Sequence, residues 1–225
     1  HYVTEAERRV YADRSVYLGD PDFNDIPIKT LISDEYSFKR WMSMDTLLAT
    51  ESINIKEGLL INEREETTHF SIADKWGNAV SVTTTINGWF GNGIVVDNSG
   101  FILNNEMDDF SSKPGHPNKY GLVGNKANSI EPKKRMLSSM TPTIVENLNG
   151  ELYLVLGSPG GSTIITTVAQ LILNVIDKKM NIKDAVESSR FHHQWLPNLI
   201  FLEPFSFQRE TITDLENRGH IIQFR

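Results

Sequence analysis

The chain contains no cysteine. Disulfides, zinc–thiolate sites and cysteine nucleophiles are therefore excluded, while the redox compartment stays open. Positive charge is scarce. Lys and Arg number 22 against 29 Asp and Glu, and the formal net charge is -7. A nucleic-acid groove needs a basic surface, so no nucleic-acid partner is expected. No apolar run approaches the roughly 20 residues that span a bilayer. No leader peptide is visible. The chain opens on His1 rather than Met, so that absence says nothing about compartment. The GK[ST], HExxH and GxSxG signatures are missing, as are internal repeats and low-complexity tracts.

What is present suits one substantial domain or two small ones: 225 residues, 39% of them hydrophobic. Residues 1–19 read as a helix, with Ala6, Val10 and Tyr11 continuing an apolar stripe from Tyr2 and Val3. "LGDPDFNDIP" breaks it, and 37–49 reads as a second helix. Residues 54–66 are polar and charged, an exposed linker by composition. "TTHFSIAD" and "NAVSVTTTI" alternate apolar and polar around a "KWGN" turn, which predicts a hairpin. "FILNNEMDDF" begins as a strand, and 111–135 is a loop rich in Gly and Pro. "PTIVENLNGELYLVLG" predicts a second hairpin turning near Asn149-Gly150. Helices follow at 162–177, at 181–190 behind an Asn cap, and at 209–220 up to Gly219. "LIFLE" and "HIIQFR" read as strands. Strands in runs followed by helices predict an α+β sheet layered with helices.

Several stretches could carry chemistry. "GSPGGS" lies between an apolar strand and an apolar helix. Gly160 and Gly161 let the backbone come close to a ligand, and the following helix offers free N–H groups for a phosphate or an oxyanion. From the glycines alone, a plain strand-to-helix turn is the commoner reading. "TTTIN" sets Thr83, Thr85 and Asn87 on one strand face. Glu106, Asp108 and Asp109 could form an acid–base pair, hold an amine or simply be a solvated loop; adjacent aspartates in an extended segment make a poor metal site. Ser138 and Ser139 could bind a carboxylate or form a turn. His192-His193 lacks a third-ligand pattern and reads as structural.

Thr67 follows Glu65-Glu66 at a strand start. A threonine hydroxyl is a poor nucleophile at neutral pH and needs a base beside it. A chain-terminal amine, with an unperturbed pKa of about 7.7–8.0, is one such base. Thr67 could use it only after a cut between Glu66 and Thr67. Taken alone, a Thr-Thr pair is usually a strand former.

Taken together, "TTHFSIADKWGNAVSVTTTIN", "LNNEMDDFS", "KPGHPNKYGLVG", "LSSMTPTIV", "GSPGGSTIITT" and "RFHHQWLP", in this order and spacing, closely resemble γ-glutamyltranspeptidases, which are N-terminal-nucleophile hydrolases. "EAERRVYADRSVYLGDPDF" resembles the end of that family's large subunit, so the likeness covers nearly the whole chain.

The resemblance implies an αββα sandwich within the α+β class, with residues 1–66 closing the large subunit and 67–225 forming a truncated small, catalytic subunit. It implies self-cleavage before Thr67 and a γ-glutamyl–threonine acyl-enzyme formed from glutathione or related γ-glutamyl amides. Water, an amino acid or a peptide then accepts the γ-glutamyl group. Thr85 matches a second threonine beside the nucleophile, and Gly160 and Gly161 match the oxyanion hole. Asn87, Glu106 and Asp109 match the residues holding the substrate α-amino group. Ser138 and Ser139 match those on its α-carboxylate, and Tyr120 matches the tyrosine of a covering loop. No metal and no cofactor is implied. The expected partner is the remainder of the large subunit, which carries the family's carboxylate-binding arginine, and the expected location is periplasmic or secreted. Thr163, where many members carry Arg, and Met136, where Pro is common, depart from the pattern. The rivals are a related acylase or capsule-type transpeptidase, and an unprocessed, inactive fragment.

Overall fold

The computed structural model describes residues 1–55, 67–116, 118 and 121–225. In chain order these form α1 (Tyr2–Tyr17), α2 (Ile28–Leu31), α3 (Asp34–Met42), β1 (Thr68–Ala73), β2 (Ala79–Thr84), β3 (Thr143–Glu146), β4 (Leu152–Leu156), α4 (Thr163–Ile176), α5 (Ile182–Glu187), β5 (Phe191–His192), β6 (Ile200–Leu202), α6 (Arg209–Asn217) and β7 (Ile222–Phe224). They divide into two units. One comprises His1–Glu63, Met107–Leu137 and Ser189–Arg225; the other comprises Arg64–Glu106 and Ser138–Ser188. Of the expected linker at 54–66, residues 56–66 lie outside the described residues.

In the first unit, α1 has neither proline nor glycine to interrupt it, but of the expected stripe it buries Tyr11 alone. Tyr2, Val3 and Val10 are exposed, whereas Glu5, Glu7, Arg8, Arg9 and Arg14 are buried beside Tyr11 and Ala12. Glu5, Arg8 and Arg9 tolerate burial because they pair with one another, while burial pushes the Glu7 carboxyl well up. Glu5 Oε2 lies 2.6 Å from Arg9 Nη1 and accepts from Thr50 Oγ1 at 2.6 Å. Arg9 Nε donates to Ser43 Oγ at 2.8 Å, and Arg8 Nη1 donates to Ser52 Oγ at 3.1 Å. The expected helix at 37–49 is shorter and earlier. Ser33 caps it by accepting from Tyr36 N, and Asp45 draws the backbone out of the helix by accepting from Leu47 N at 2.7 Å.

The same unit closes on a three-stranded sheet ordered β5-β6-β7. β5 and β6 are antiparallel, β6 and β7 parallel. A parallel neighbour needs a crossover, and α6 supplies it. The last turn of α6 is closed by the His220 N–H bond to Leu215 O at 3.0 Å. Trp195, Ile200 and Leu202 are buried here, and Trp195 Nε1 donates to Ser52 O at 3.0 Å. His192 and His193 are buried too. His193 Nδ1 accepts from Trp195 N at 3.0 Å, and His192 Nε2 lies 2.8 Å from Gln194 Oε1. Burial pushes His192 down to about 4 and His193 well below the usual range, so both are neutral packing groups.

The second unit is built from two antiparallel hairpins and an apolar helix. β1 pairs with β2 from Thr68↔Thr84 to Ala73↔Ala79, and Asp74 closes the turn by accepting from Trp76 N and Asn78 N. β3 pairs with β4 around an Asn147–Glu151 turn. α4 lays Ile164 and Val168 on Leu156, with Met140, Val145, Leu154, Leu171 and Ile172 around them. Each such side chain, fully buried, contributes about 1.5–3 kcal/mol. α5 begins as its cap predicts, Asn181 Oδ1 accepting from Asp184 N at 2.9 Å. The third strand expected to begin at Phe101 does not form. Ile102 makes only an isolated bridge with Val95, and residues 106–109 turn into a 3-10 helix. Asn104 Oδ1 accepts from Glu106 N at 2.9 Å, an Asx turn that competes with the ladder.

Candidate active site

Thr67 is half-buried and stands one residue ahead of β1. Carrying the β1–β2 register one step beyond Thr68↔Thr84 sets it opposite Thr85. Side chains alternate along a strand, so Thr67, His69 and Ser71 share one face with Ser81, Thr83 and Thr85. It is a polar face. His69 Nδ1 lies 2.8 Å from Thr83 Oγ1 and its Nε2 lies 3.0 Å from Ser71 Oγ. Burial pushes the His69 imidazole down. Ser81 Oγ donates to Leu156 O at 2.9 Å and accepts from Thr143 N at 3.1 Å. The polar face of the first hairpin is thus fastened to the second. The opposite face, with Phe70, Ile72 and Val80, is exposed.

Past Thr85 the chain turns sharply. Asn87 adopts φ 71, a left-handed conformation that asparagine tolerates better than most residues. Its N–H donates to Thr85 Oγ1 at 2.8 Å and its Nδ2 to Asn105 O at 3.1 Å, and the side chain is buried. Asn105 Oδ1 in turn accepts from Gly88 N at 2.8 Å. This brings Glu106 next to the Asn87 turn. Burial pushes the Glu106 carboxyl up.

β4 runs into the glycine loop. Gly160 has φ 129 and Gly161 φ 52, conformations that favour glycine. Their carbonyls accept from Thr163 N at 3.0 Å and Ile164 N at 3.3 Å, which starts α4. Among the described residues, neither glycine N–H donates to a backbone carbonyl. Both N–H groups stand at the positive end of a 14-residue helix, where developing negative charge is stabilised. Ser138 and Ser139 lie on the half-buried approach to β3, and Ser138 Oγ accepts from Met140 N at 3.1 Å.

The second unit therefore gathers Thr67, Thr85, Asn87 and Glu106 around the first hairpin, and Ser138, Ser139, Gly160 and Gly161 around the second. Asp109 falls in the first unit. Its carbonyl accepts from Asn128 Nδ2 at 2.8 Å. Burial pushes the Arg14 guanidinium down, with Tyr11 and the Asp109 carboxylate acting against that. Tyr120 lies outside the described residues. Among the described residues on either side, Gly115 N donates to Gly124 O at 2.9 Å. Sequence reasoning missed three residues: His69, Ser81 and Asn105. The polar alternation of β1 and β2 marked the first two, and the doubled asparagine before Glu106 marked the third.

The sequence model of the family described as Gamma-glutamyltranspeptidase matches residues 1–225. The glutathione hydrolase proenzyme of Escherichia coli (strain K12) is 50% identical over 224 residues, covering 99% of this chain and 38% of that relative. The chain thus spans less than two-fifths of that relative's length. An acivicin-inhibited gamma-glutamyltranspeptidase superposes with a TM-score of 0.68 at 57% identity, covering 70% of this chain and 84% of that one. A mutant of Helicobacter pylori gamma-glutamyltranspeptidase gives a TM-score of 0.69 at 57% identity, with the same coverage. On the full-length match and these superpositions, the chain has the α+β fold of N-terminal-nucleophile hydrolases and belongs to the γ-glutamyltranspeptidase family.

Proposed function

We propose that residues 1–66 end a large subunit, that residues 67–225 belong to a catalytic small subunit, and that together with the rest of the large subunit they act as a γ-glutamyl hydrolase and transferase. The observation that carries this is the β1–β2 register, which, carried one step past Thr68↔Thr84, sets Thr67 across from Thr85 on the polar face fastened to the strand that leads into the glycine loop. The curated relative is named a proenzyme, and autoprocessing is described for the acivicin-inhibited structure. Both support a cut as the activating step.

In that step Thr67 Oγ attacks the Glu66 carbonyl carbon. The Glu66–Thr67 C–N bond breaks, the Thr67 nitrogen takes the hydroxyl proton, and an ester forms. Water hydrolyses it to a Glu66 carboxylate and a free Thr67 with its own α-amine. That amine, with an ordinary pKa of about 7.7–8.0, accepts the hydroxyl proton in the next reaction. Thr67 attacks the γ-carbonyl of glutathione or another γ-glutamyl amide, the amide leaves as a protonated amine, and an acyl-enzyme remains. Water, or the amine of an amino acid or peptide, then releases the γ-glutamyl group.

Thr85 orients the nucleophile. The Gly160 and Gly161 N–H groups receive the oxyanion, and Ser138 and Ser139 donate to the substrate α-carboxylate. Asn87, Glu106 and Asp109 accept from its α-ammonium, the two carboxylates adding opposite charge. Tyr120 covers the bound γ-glutamyl group. No helix among the described residues is long and apolar enough to cross a membrane; the family resemblance supports a periplasmic or secreted location.

Mass spectrometry of the full-length precursor tests the reading. Wild type should yield a fragment beginning at Thr67, and Thr67→Ala should stay whole. A cut in the variant, or a cut elsewhere, sinks it. Release of chromophore from a γ-glutamyl anilide should then require Thr67, and an α-glutamyl anilide should react far more slowly.

A further inference from the structure

His69 sits two residues beyond Thr67 on the same strand face, and its ring is held from both sides. Thr83 Oγ1, from its register partner, lies 2.8 Å from Nδ1, and Ser71 Oγ lies 3.0 Å from Nε2. With both nitrogens engaged, the ring plane is fixed. Gly157 rests directly on that plane. A Cβ added there would fall 2.8 Å from His69 Nε2 and nearer still to Cε1 and Nδ1. The residue before it is anchored as well, through Ser81 Oγ to Leu156 O at 2.9 Å. Two consecutive residues at the end of β4 are therefore seated on the first hairpin, and Gly160 follows three positions later.

We propose that His69 is a positioning residue: its clamped ring is the platform that sets the spacing between the Thr67 end of β1 and the Gly160-Gly161 N–H groups. The inference rests on the reading of Thr67 as nucleophile and of the glycine N–H groups as its oxyanion donors. The described hydrogen bonds of the His69 ring go to Thr83 and Ser71, and Gly157 lies against it, so it acts through the loop. A misplacement of about 1 Å between reacting groups costs on the order of a hundredfold in rate. Absence of a side chain at residue 157 is the second half of the same device, because any Cβ would lift the loop off the ring.

A double-mutant cycle in the full-length, processed protein tests this. His69→Ala and Gly157→Ala should each lower kcat for γ-glutamyl anilide hydrolysis by about 10- to 100-fold with KM changed less than about threefold. The double variant should be less impaired than the product of the two losses, because truncating the ring makes room for the new methyl. His69→Asn keeps a polar atom near Thr83 Oγ1 while removing the rest of the ring. It stands in for the alanine variant should that one not fold, and it should tolerate Gly157→Ala in the same way. Melting temperatures should show the same pattern, with Gly157→Ala lowering that of the parent more than that of His69→Asn. The shape of the pH profile of kcat/KM should not change in His69→Asn.

Additive losses in an active enzyme overturn this inference alone, as does a pH limb that vanishes with His69, which would make it an acid or base. A wild type with no Thr67-dependent activity overturns the reading of Thr67 and this inference with it.

Discussion

Ser81 holds the Leu156 carbonyl at 2.9 Å through its hydroxyl, and the same oxygen receives the Thr143 N–H at 3.1 Å. One side chain thus joins the β1–β2 hairpin to the first residue of β3 and the last of β4. Ser81→Ala leaves both backbone groups without that partner, at a cost of about 1–3 kcal/mol. Urea denaturation should show it as a lower midpoint with an unchanged slope. A midpoint within error of wild type would mean that the two hairpins are joined by apolar packing instead.

The charged interior of α1 makes the opposite kind of prediction from an ordinary amphipathic helix. Burial pushes Glu5 up, but hydrogen bonds from Thr50 and Arg9 and the charge of Arg8 outweigh it and hold the carboxyl below its usual range. Glu5→Ala leaves two buried guanidinium groups uncompensated and should cost about 3–5 kcal/mol. Val10→Ala, at an exposed position, should cost less than about 0.5 kcal/mol. Equal losses from the two changes would show that the stripe, and not the ion network, carries the helix.

Acid sensitivity follows from the paired histidines. An unfolded imidazole titrates near 6.5, whereas burial holds His192 at about 4. Above pH 6.5 neither state is protonated there and the group contributes no pH dependence. As pH falls from 6.5 toward 4, the unfolded chain takes a proton that the folded one refuses, and stability drops by about 1.4 kcal/mol per pH unit. His193 acts in the same direction. Denaturation at intervals between pH 7 and 4.5 should show this slope, and His192→Asn should reduce it by nearly one proton. An unchanged slope in the variant would assign the acid sensitivity to other groups.

The two carboxylates proposed for the substrate ammonium should respond differently. Burial pushes the Glu106 carboxyl up, and glutamine keeps a carbonyl oxygen that can accept from an ammonium. Glu106→Gln should therefore retain γ-glutamyl anilide activity within about tenfold, and Asp109→Ala should raise KM by a hundredfold or more, roughly the worth of a charge-assisted hydrogen bond lost from a closed site. Activity of Asp109→Ala equal to wild type would remove it from the site.

Local chemistry explains which parts of the fold were legible. The β1–β2 and β3–β4 hairpins follow from period-two alternation and strong turn residues, and α5 starts at Asn181 because its side chain can reach Asp184 N. The face that α1 buries was not legible, because Glu5, Arg8 and Arg9 are satisfied by Thr50, Ser43 and Ser52, some 34 to 45 positions away along the chain. The strand expected to begin at Phe101 failed for a similar reason. The Asn104 and Asn105 side-chain oxygens accept from Glu106 N and Gly88 N, and the Asn105 carbonyl accepts from Asn87 Nδ2, which no apolar pattern reveals. Within the candidate site, the residues with chemistry to offer stood out in the sequence. The residues that hold them, His69 and Ser81, looked like ordinary members of polar strand faces.

β1 takes up its ladder at Thr68, one residue after Thr67. Every described rung between β1 and β2, from Thr68 to Ala73, lies downstream of Thr67. The cut proposed before Thr67 would leave all of them on one side of it, an event at a hem rather than a tear through the cloth.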